Sequence, residues 1–423
     1  MLPISMLWII SGVKNMFRKI ISIIFALSAV ILFSGISTYS EASKPFMWRG
    51  VEVKEFPYVV KSYPKGMSVT ADGKDLLAGE TVSGVSYKGG TLTLDNVSID
   101  GEIKVTGVST LKVSITGDND LNRLVFDGTH MSVVGNGTLT AKKIESVNSH
   151  YSSFIVISEN VRIYGKTDYE NDTKLNTPMR FSGVYVEGNS YLECAEIRGG
   201  DLTLRGNARV KTSHCHYIDT LSLSGNSVLE VETDYEKYSK LDMGYDLNDC
   251  LNMVLYTYIR DDARLSVVCD TPVCGIYSSG SRHFGEIKIS DNGILDISGN
   301  SRYGISLDNT AFGTLTMNGN SKVNISGFDI GIAAQRIDIN GGTLDIHANK
   351  CAVQIDDIIS PYANFEPILS INGDIASQSC DWEVTDFTED EMEQYDWYYD
   401  ILRSAETGEP LKDFSITVVP KEN

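Results

Sequence analysis

The chain has 423 residues, 42% of them apolar, and its 36 basic and 56 acidic side chains leave it at −20. That apolar share supports a large core and is too high for a disordered polymer. The acidity argues against nucleic-acid binding, which needs clustered Lys and Arg to neutralise phosphate, and 37 Gly with only 10 Pro and no fixed period exclude a collagen-like chain.

Residues 1–42 read as a secretory signal. Phe17-Arg18-Lys19 is a basic lead, Ile20 to Phe33 an apolar run, and Ser40-Glu41-Ala42 a small-x-small pattern suited to cleavage. The run is shorter than the roughly 20 residues that cross a bilayer. Met16 is read as the initiator and Met1–Asn15 as an over-long start. Cleavage removes three basic residues and one acidic, so the mature chain stands at −22 and is expected outside the cell, with no membrane span.

Residues 43–88 are expected to form an N-terminal β cap, with a short strand at Val51–Val53 and a turn at Asp72-Gly73. From residue 89 to 380 one template recurs: alternating apolar residues, a Gly-Asn-like pair, two spacers, then alternating apolar residues again. It reads Val184-Tyr-Val186-Glu-Gly188-Asn189 followed by Leu192 and Cys194, and Leu202-Thr-Leu204-Arg-Gly206-Asn207 followed by Val210 and Thr212. Leu221-Ser-Leu223-Ser-Gly225-Asn226 leads to Leu229 and Val231. Further copies start at Met131, Ile287, Leu315 and Ile337.

Apolar residues two apart mark strands with one buried face; a helix would need spacings of three and four. A Gly-Asn corner suits a turn with a left-handed backbone conformation, which Gly tolerates best and Asn next. One such unit cannot hide its apolar face, but units stacked about 4.8 Å apart close a continuous core and pair their backbones in parallel ladders. The predicted fold is therefore an all-β parallel β-helix (β-solenoid). Cys194, Thr212 and Val231 share one inward template position, and Asn189, Asn207 and Asn226 should stack as a corner ladder.

The seven cysteines are an odd number and too few for a disulfide scaffold. They read as buried thiols, with a Cys269–Cys274 bridge as the alternative. His214 and His216 flank Cys215 and share one side of a strand, but the local sequence offers no third metal ligand.

Two interruptions of the repeat are candidate binding loops. Residues 165–178 contain Asp168, Tyr169, Glu170, Asn171 and Asp172; residues 233–262 contain Tyr235, Tyr238, Asp242, Tyr245, Asp246, Asp249 and Tyr256. Sugars present apolar C–H faces and many hydroxyls, so aromatic platforms beside acids suit them. Tyr185 and Tyr191 alternate with inward residues and are expected to face outward. Tyr185, Tyr191, Tyr235 and Tyr238 are thus the carbohydrate-binding candidates, and Asp168 and Asp172 the candidate calcium ligands.

Residues 381–423 leave the repeat and are expected to form a small α/β cap. Thr388 and Glu391 make a capping box, and Met392, Tyr395, Tyr399 and Leu402 follow at helix-like spacing. A strand from Phe414 to Val419 then closes the sheet, although the acidic aromatic run Glu389–Asp400 also suits a partner surface.

Asp261-Asp262 and Asp356-Asp357 supply adjacent acids of the kind inverting hydrolases use. No His is followed by Gly, the one Arg-x-Lys (Arg209-Val-Lys211) stands without such a His-Gly, no Arg-x-Pro-x-x-Arg occurs, and there is no Gly-x-Ser-x-Gly elbow, phosphate loop or His-Glu-x-x-His zinc helix. No catalytic residue is assigned.

The stretch Gly89-Gly-Thr-Leu-Thr-Leu-Asp-Asn-Val-Ser-Ile-Asp-Gly101, with Leu111–Asn119 and Val133-Val-Gly-Asn-Gly-Thr-Leu-Thr140, resembles secreted right-handed parallel β-helix proteins of gut and rumen bacteria grouped as carbohydrate-binding domain proteins. The resemblance spans roughly residues 66–350. It implies the right hand of the coil and, for function, binding of plant cell-wall polysaccharide. At −22 the mature chain repels a bare polyuronate, so an acidic glycan would need bridging calcium. The expectation is a secreted, non-catalytic polysaccharide-binding protein. A β-helix lyase or hydrolase, and a surface adhesion protein with a protein partner, stay open as alternatives.

Overall fold

The structure is a computed structural model and describes residues 47–48, 51–52, 66–147, 153–165, 179–233, 249–278, 285–307, 313–356, 368–386 and 399–421. The chain divides into two compact units, Met1–Tyr58 and Val59–Asn423. In the first, Met47–Trp48 and Val51–Glu52 pair antiparallel. The segment proposed as a signal lies outside the described residues.

In the second unit every regular element among the described residues is a strand, and most pairings are parallel. Each template copy pairs with the next in register. Val184 stands opposite Leu202, Leu202 opposite Leu221, and Leu221 opposite Thr257. Three ladders run side by side. One follows the strands before the corner, such as Gly183–Val186 and Glu286–Ile289; the next follows those after it, such as Arg264–Cys269 and Ile294–Gly299. The third includes Cys274–Ser278, Tyr303–Ser306 and Ile330–Ala334. This is the arrangement a β-solenoid requires.

The alternation places the core. Val186, Leu204, Leu223, Ile259, Ile289, Met317 and Ile339 form one in-register column with no solvent exposure. Each such side chain contributes ~1.5–3 kcal/mol of burial, realised only when the neighbouring coil is present. Cys194, Thr212 and Val231 occupy one buried column as expected.

The corners also follow the sequence. Asn189 donates to Asn160 at 3.1 Å, Asn207 to Asn189 at 2.9 Å, and Asn226 to Asn207 at 3.1 Å. Gly188, Gly206 and Gly225 before them have φ of 69–70°. Glu159, Asp261 and Asp291 hold a similar left-handed conformation at other corners. There the carboxylate helps offset the strain: Glu159 accepts from the Gly135 amide at 2.7 Å and Asp261 from the Gly225 amide at 2.8 Å.

At both ends of the ladders pairing turns antiparallel. Ser68–Ala71 runs against residues 103–106, and the Asp72-Gly73 turn joins it to Lys74–Asp75. Asp413–Val419, the strand expected near 414–419, pairs antiparallel with Gly342–His347 and with Asp374–Gln378. Among the described residues the last parallel partner is therefore Ile368–Ile371, somewhat before residue 380.

One expectation is corrected here. Tyr399 and Leu402, assigned to a helix, lie in the strand Tyr399–Ser404, which pairs with Trp382–Asp386 and with Gln354–Asp356. Strand partners on both sides, and burial of Ile401 and Leu402, override the helical spacing. Thr388, Glu391, Met392 and Tyr395 lie outside the described residues. All seven cysteines are free. Cys269 donates to the Cys274 carbonyl at 3.2 Å instead of bridging to its sulfur.

Candidate functional site

Register converts outward residues into columns, and two outer surfaces carry concentrated chemistry. On the first ladder, Thr220, Tyr256 and Glu286 stand in one column, and Ser222, Tyr258 and Lys288 in the next. The Tyr256 and Tyr258 rings are nearly parallel, 5.8 Å between centroids and 13° between planes, and both are half-buried. The Tyr258 hydroxyl donates to Glu286 at 3.4 Å. Burial and the Glu286 charge raise its pKa, so the phenol stays protonated and neutral.

The sequence-derived tyrosines fare differently. Tyr185 lies on the outer side, between core residues Val184 and Val186, yet only 4% of it is exposed. Its ring meets Phe154 edge-on at 5.9 Å and lies over Gly183, which has no side chain to hold it off. Its hydroxyl donates to Asp201 at 3.4 Å. This corrects the expectation of an exposed platform: Phe154, one coil back, claims the ring. Tyr191 is half-buried, leans on Tyr164 at 5.4 Å and donates to Glu193 at 2.6 Å. Tyr235, Tyr238, Asp168 and Asp172 lie outside the described residues. Alternation points to Tyr258 as it does to Tyr185, but the sequence reading passed it over.

Of the acids considered for hydrolysis, Asp356 ends the strand Cys351–Asp356 and Asp357 lies outside the described residues. Asp261 caps a corner, and Asp262 accepts from Asn292 at 2.9 Å in the corner ladder.

The second surface is the outer side of the third ladder, where polar side chains are buried. Cys215 points into the core, leaving His214 and His216 on the opposite side, as the spacing indicates. In the preceding coil Glu196 pairs with His214 and Arg198 with His216. Asp249 arrives from the following coil. Glu196, His214, His216, Asp249 and Asn252 are each less than a tenth exposed. His214 Nε2 lies 3.2 Å from Asp249 Oδ1, and Asn252 donates to Asp249 Oδ2 at 3.0 Å. The two imidazoles are 5.4 Å apart, and the Tyr217 ring covers His216 at 4.0 Å. Burial, reinforced by His214, pushes the pKa of His216 down to about 4, so its ring is neutral at pH 7. One donor atom from each of His214, His216 and Asp249 lies within 4.8 Å of the others.

Sequence reasoning had Asp249 as a loop residue and the histidines without a third ligand. What brings them together is the ladder between residues 209–223 and 249–259, whose register shifts near Cys215 and Ile218. No local motif encodes that approach.

Comparison with protein-family models, with curated proteins and with solved structures finds no match to this chain.

Proposed function

We propose that the protein is a secreted, non-catalytic binder of polysaccharide, built as a right-handed parallel β-helix whose antiparallel ends act as caps. The observation that carries this reading is the Tyr256–Tyr258 pair. Two nearly parallel rings stand on an outer sheet face beside Glu286, Lys288, Thr220 and Ser222. Such a surface offers stacking area to C–H faces and hydrogen-bonding groups to hydroxyls. Parallel stacking also suits a polymer, because the face continues from coil to coil. Asp261 and Asp262, one of the two acid pairs discussed for hydrolysis, are engaged in corner contacts, which favours binding over turnover at that pair. For an acidic glycan the charge of −22 calls for bridging calcium, and Asp168 and Asp172 remain the proposed ligands.

Pull-down on insoluble polysaccharides and a glycan array, each with and without EDTA, test the proposal. Retention on a plant cell-wall polymer, reduced at least about tenfold by Tyr256→Ala with Tyr258→Ala, is expected. Retention on no glycan, with or without calcium, refutes it.

A further inference from the structure

We propose that His214, His216 and Asp249 form a buried site for a divalent transition metal ion of the zinc class, which staples two consecutive coils. The inference is independent of polysaccharide binding and uses a different face of the molecule.

The geometry comes first. A tetrahedral zinc site with bonds of 2.0–2.1 Å has donor atoms roughly 3.3 Å apart. His214 Nε2 and Asp249 Oδ1 are 3.2 Å apart, which already matches one edge of that tetrahedron. Bringing the third donor from within 4.8 Å to the same spacing takes about 1.5 Å, within reach of a small tilt of the His216 ring.

Chemistry then selects the ion. Two imidazole nitrogens and a single carboxylate oxygen suit zinc, copper(II) or nickel, whereas calcium asks for six to eight oxygens. Asn252, donating to the second oxygen of Asp249 at 3.0 Å, holds that carboxylate from outside the ligand set. Such outer partners characteristically orient metal-binding carboxylates. In the preceding coil Glu196, buried, stands opposite His214, and Arg198 stands opposite His216, so an acid and a base flank the donor set.

The position gives the ion a purpose. His214 and His216 belong to one coil and Asp249 to the next, and the ladder joining them is where parallel register slips. An ion held from both sides ties the coils where backbone pairing is irregular. Three protein donors leave the fourth position of a tetrahedral ion to a water molecule, and every ligand is less than a tenth exposed.

The test uses the full chain, stripped with chelator and titrated with zinc or cobalt(II). One equivalent of zinc should stay bound through gel filtration, cobalt should give the strong visible absorption of a four-coordinate ion, and zinc should raise the melting temperature. His216→Gln and Asp249→Asn should each weaken zinc binding by more than about 100-fold, and Asn252→Ala by about tenfold. His347→Gln, at an exposed histidine elsewhere, should leave binding unchanged. The parent protein is read directly, so a variant that fails to fold does not block the test. Stoichiometry well below one in the parent chain, or cobalt absorption of a six-coordinate ion indifferent to Asp249→Asn, overturns the proposal.

Discussion

Along the third ladder the same outer face is buried twice, by opposite means. Between residues 274 and 333 it is covered by Cys274, Tyr303, Ile330 and Ala333, an apolar cluster separate from the main core. Between residues 196 and 252 the equivalent face holds Glu196, His214, His216, Asp249 and Asn252, with similar burial. The two are continuous, since Asp249 pairs with Cys274, Cys274 with Tyr303, and Tyr303 with Ile330. A stacked coil thus fixes where a side chain goes and leaves its chemistry free. Burying polar groups costs free energy unless they are paired, so the polar stretch demands specific partners where the apolar stretch demands only shape.

That contrast is broken most severely by putting a lone charge in the apolar half. Ile330→Asp leaves a carboxylate among Cys274, Tyr303 and Ala333 and should cost more than about 4 kcal/mol, read as a collapse of the urea midpoint. Tolerance of this change would mean that the outer cluster is open to water. Truncation sharpens the comparison further. Ile330→Ala should cost about 2–4 kcal/mol, while Asp249→Asn in chelator-treated protein, which keeps the shape and weakens the pairing to His214, should cost about 1–3. Equal costs for a purely apolar Asp249→Leu and for Asp249→Asn would show that pairing does not govern the polar half.

The smallest effect belongs to an exposed contact at the end of the coils. His347 is bonded to Asp413 at 2.8 Å, joining the last parallel strand of the second ladder to the antiparallel closing strand. This bond and the Asp345 charge outweigh desolvation and raise the His347 pKa. A raised folded-state value means the contribution is fully present below the unfolded value of about 6.5 and is lost as pH rises through the folded value. The melting temperature of the parent should exceed that of His347→Gln by a small margin at about pH 5.5, and the margin should vanish by about pH 9. A margin that grows with pH contradicts the assignment.

What the sequence made legible was the part set by spacing. Alternation placed Cys194, Thr212 and Val231 in one column and Asn189, Asn207 and Asn226 in one corner ladder, because both depend only on position within a repeat. It failed where a residue's surroundings come from another coil. Tyr185 has the outward position that alternation assigns, yet Phe154 and Gly183 decide that its ring is covered. Asp249 lies 35 residues from His214 and reaches it across an irregular ladder, so no local ligand spacing announces the cluster. Tyr399 and Leu402 carry helical spacing, but the neighbouring strands present edges that recruit them.

The central claim is that equivalent residues in successive coils stack one strand spacing apart. Arg209, Val228, Arg264, Ile294, Lys322 and Thr343 follow one another in a single column on the second ladder. Spin labels placed at Arg209 and Lys322, or at Arg209 and Thr343, in a Cys380→Ser background, convert this into two distances by pulsed electron resonance. Both distributions should be narrow, and the second should peak about 4.8 Å beyond the first, because the pairs differ by one coil. Broad distributions, or a second distance that is equal or shorter, would contradict the stacked coil and the surfaces derived from it.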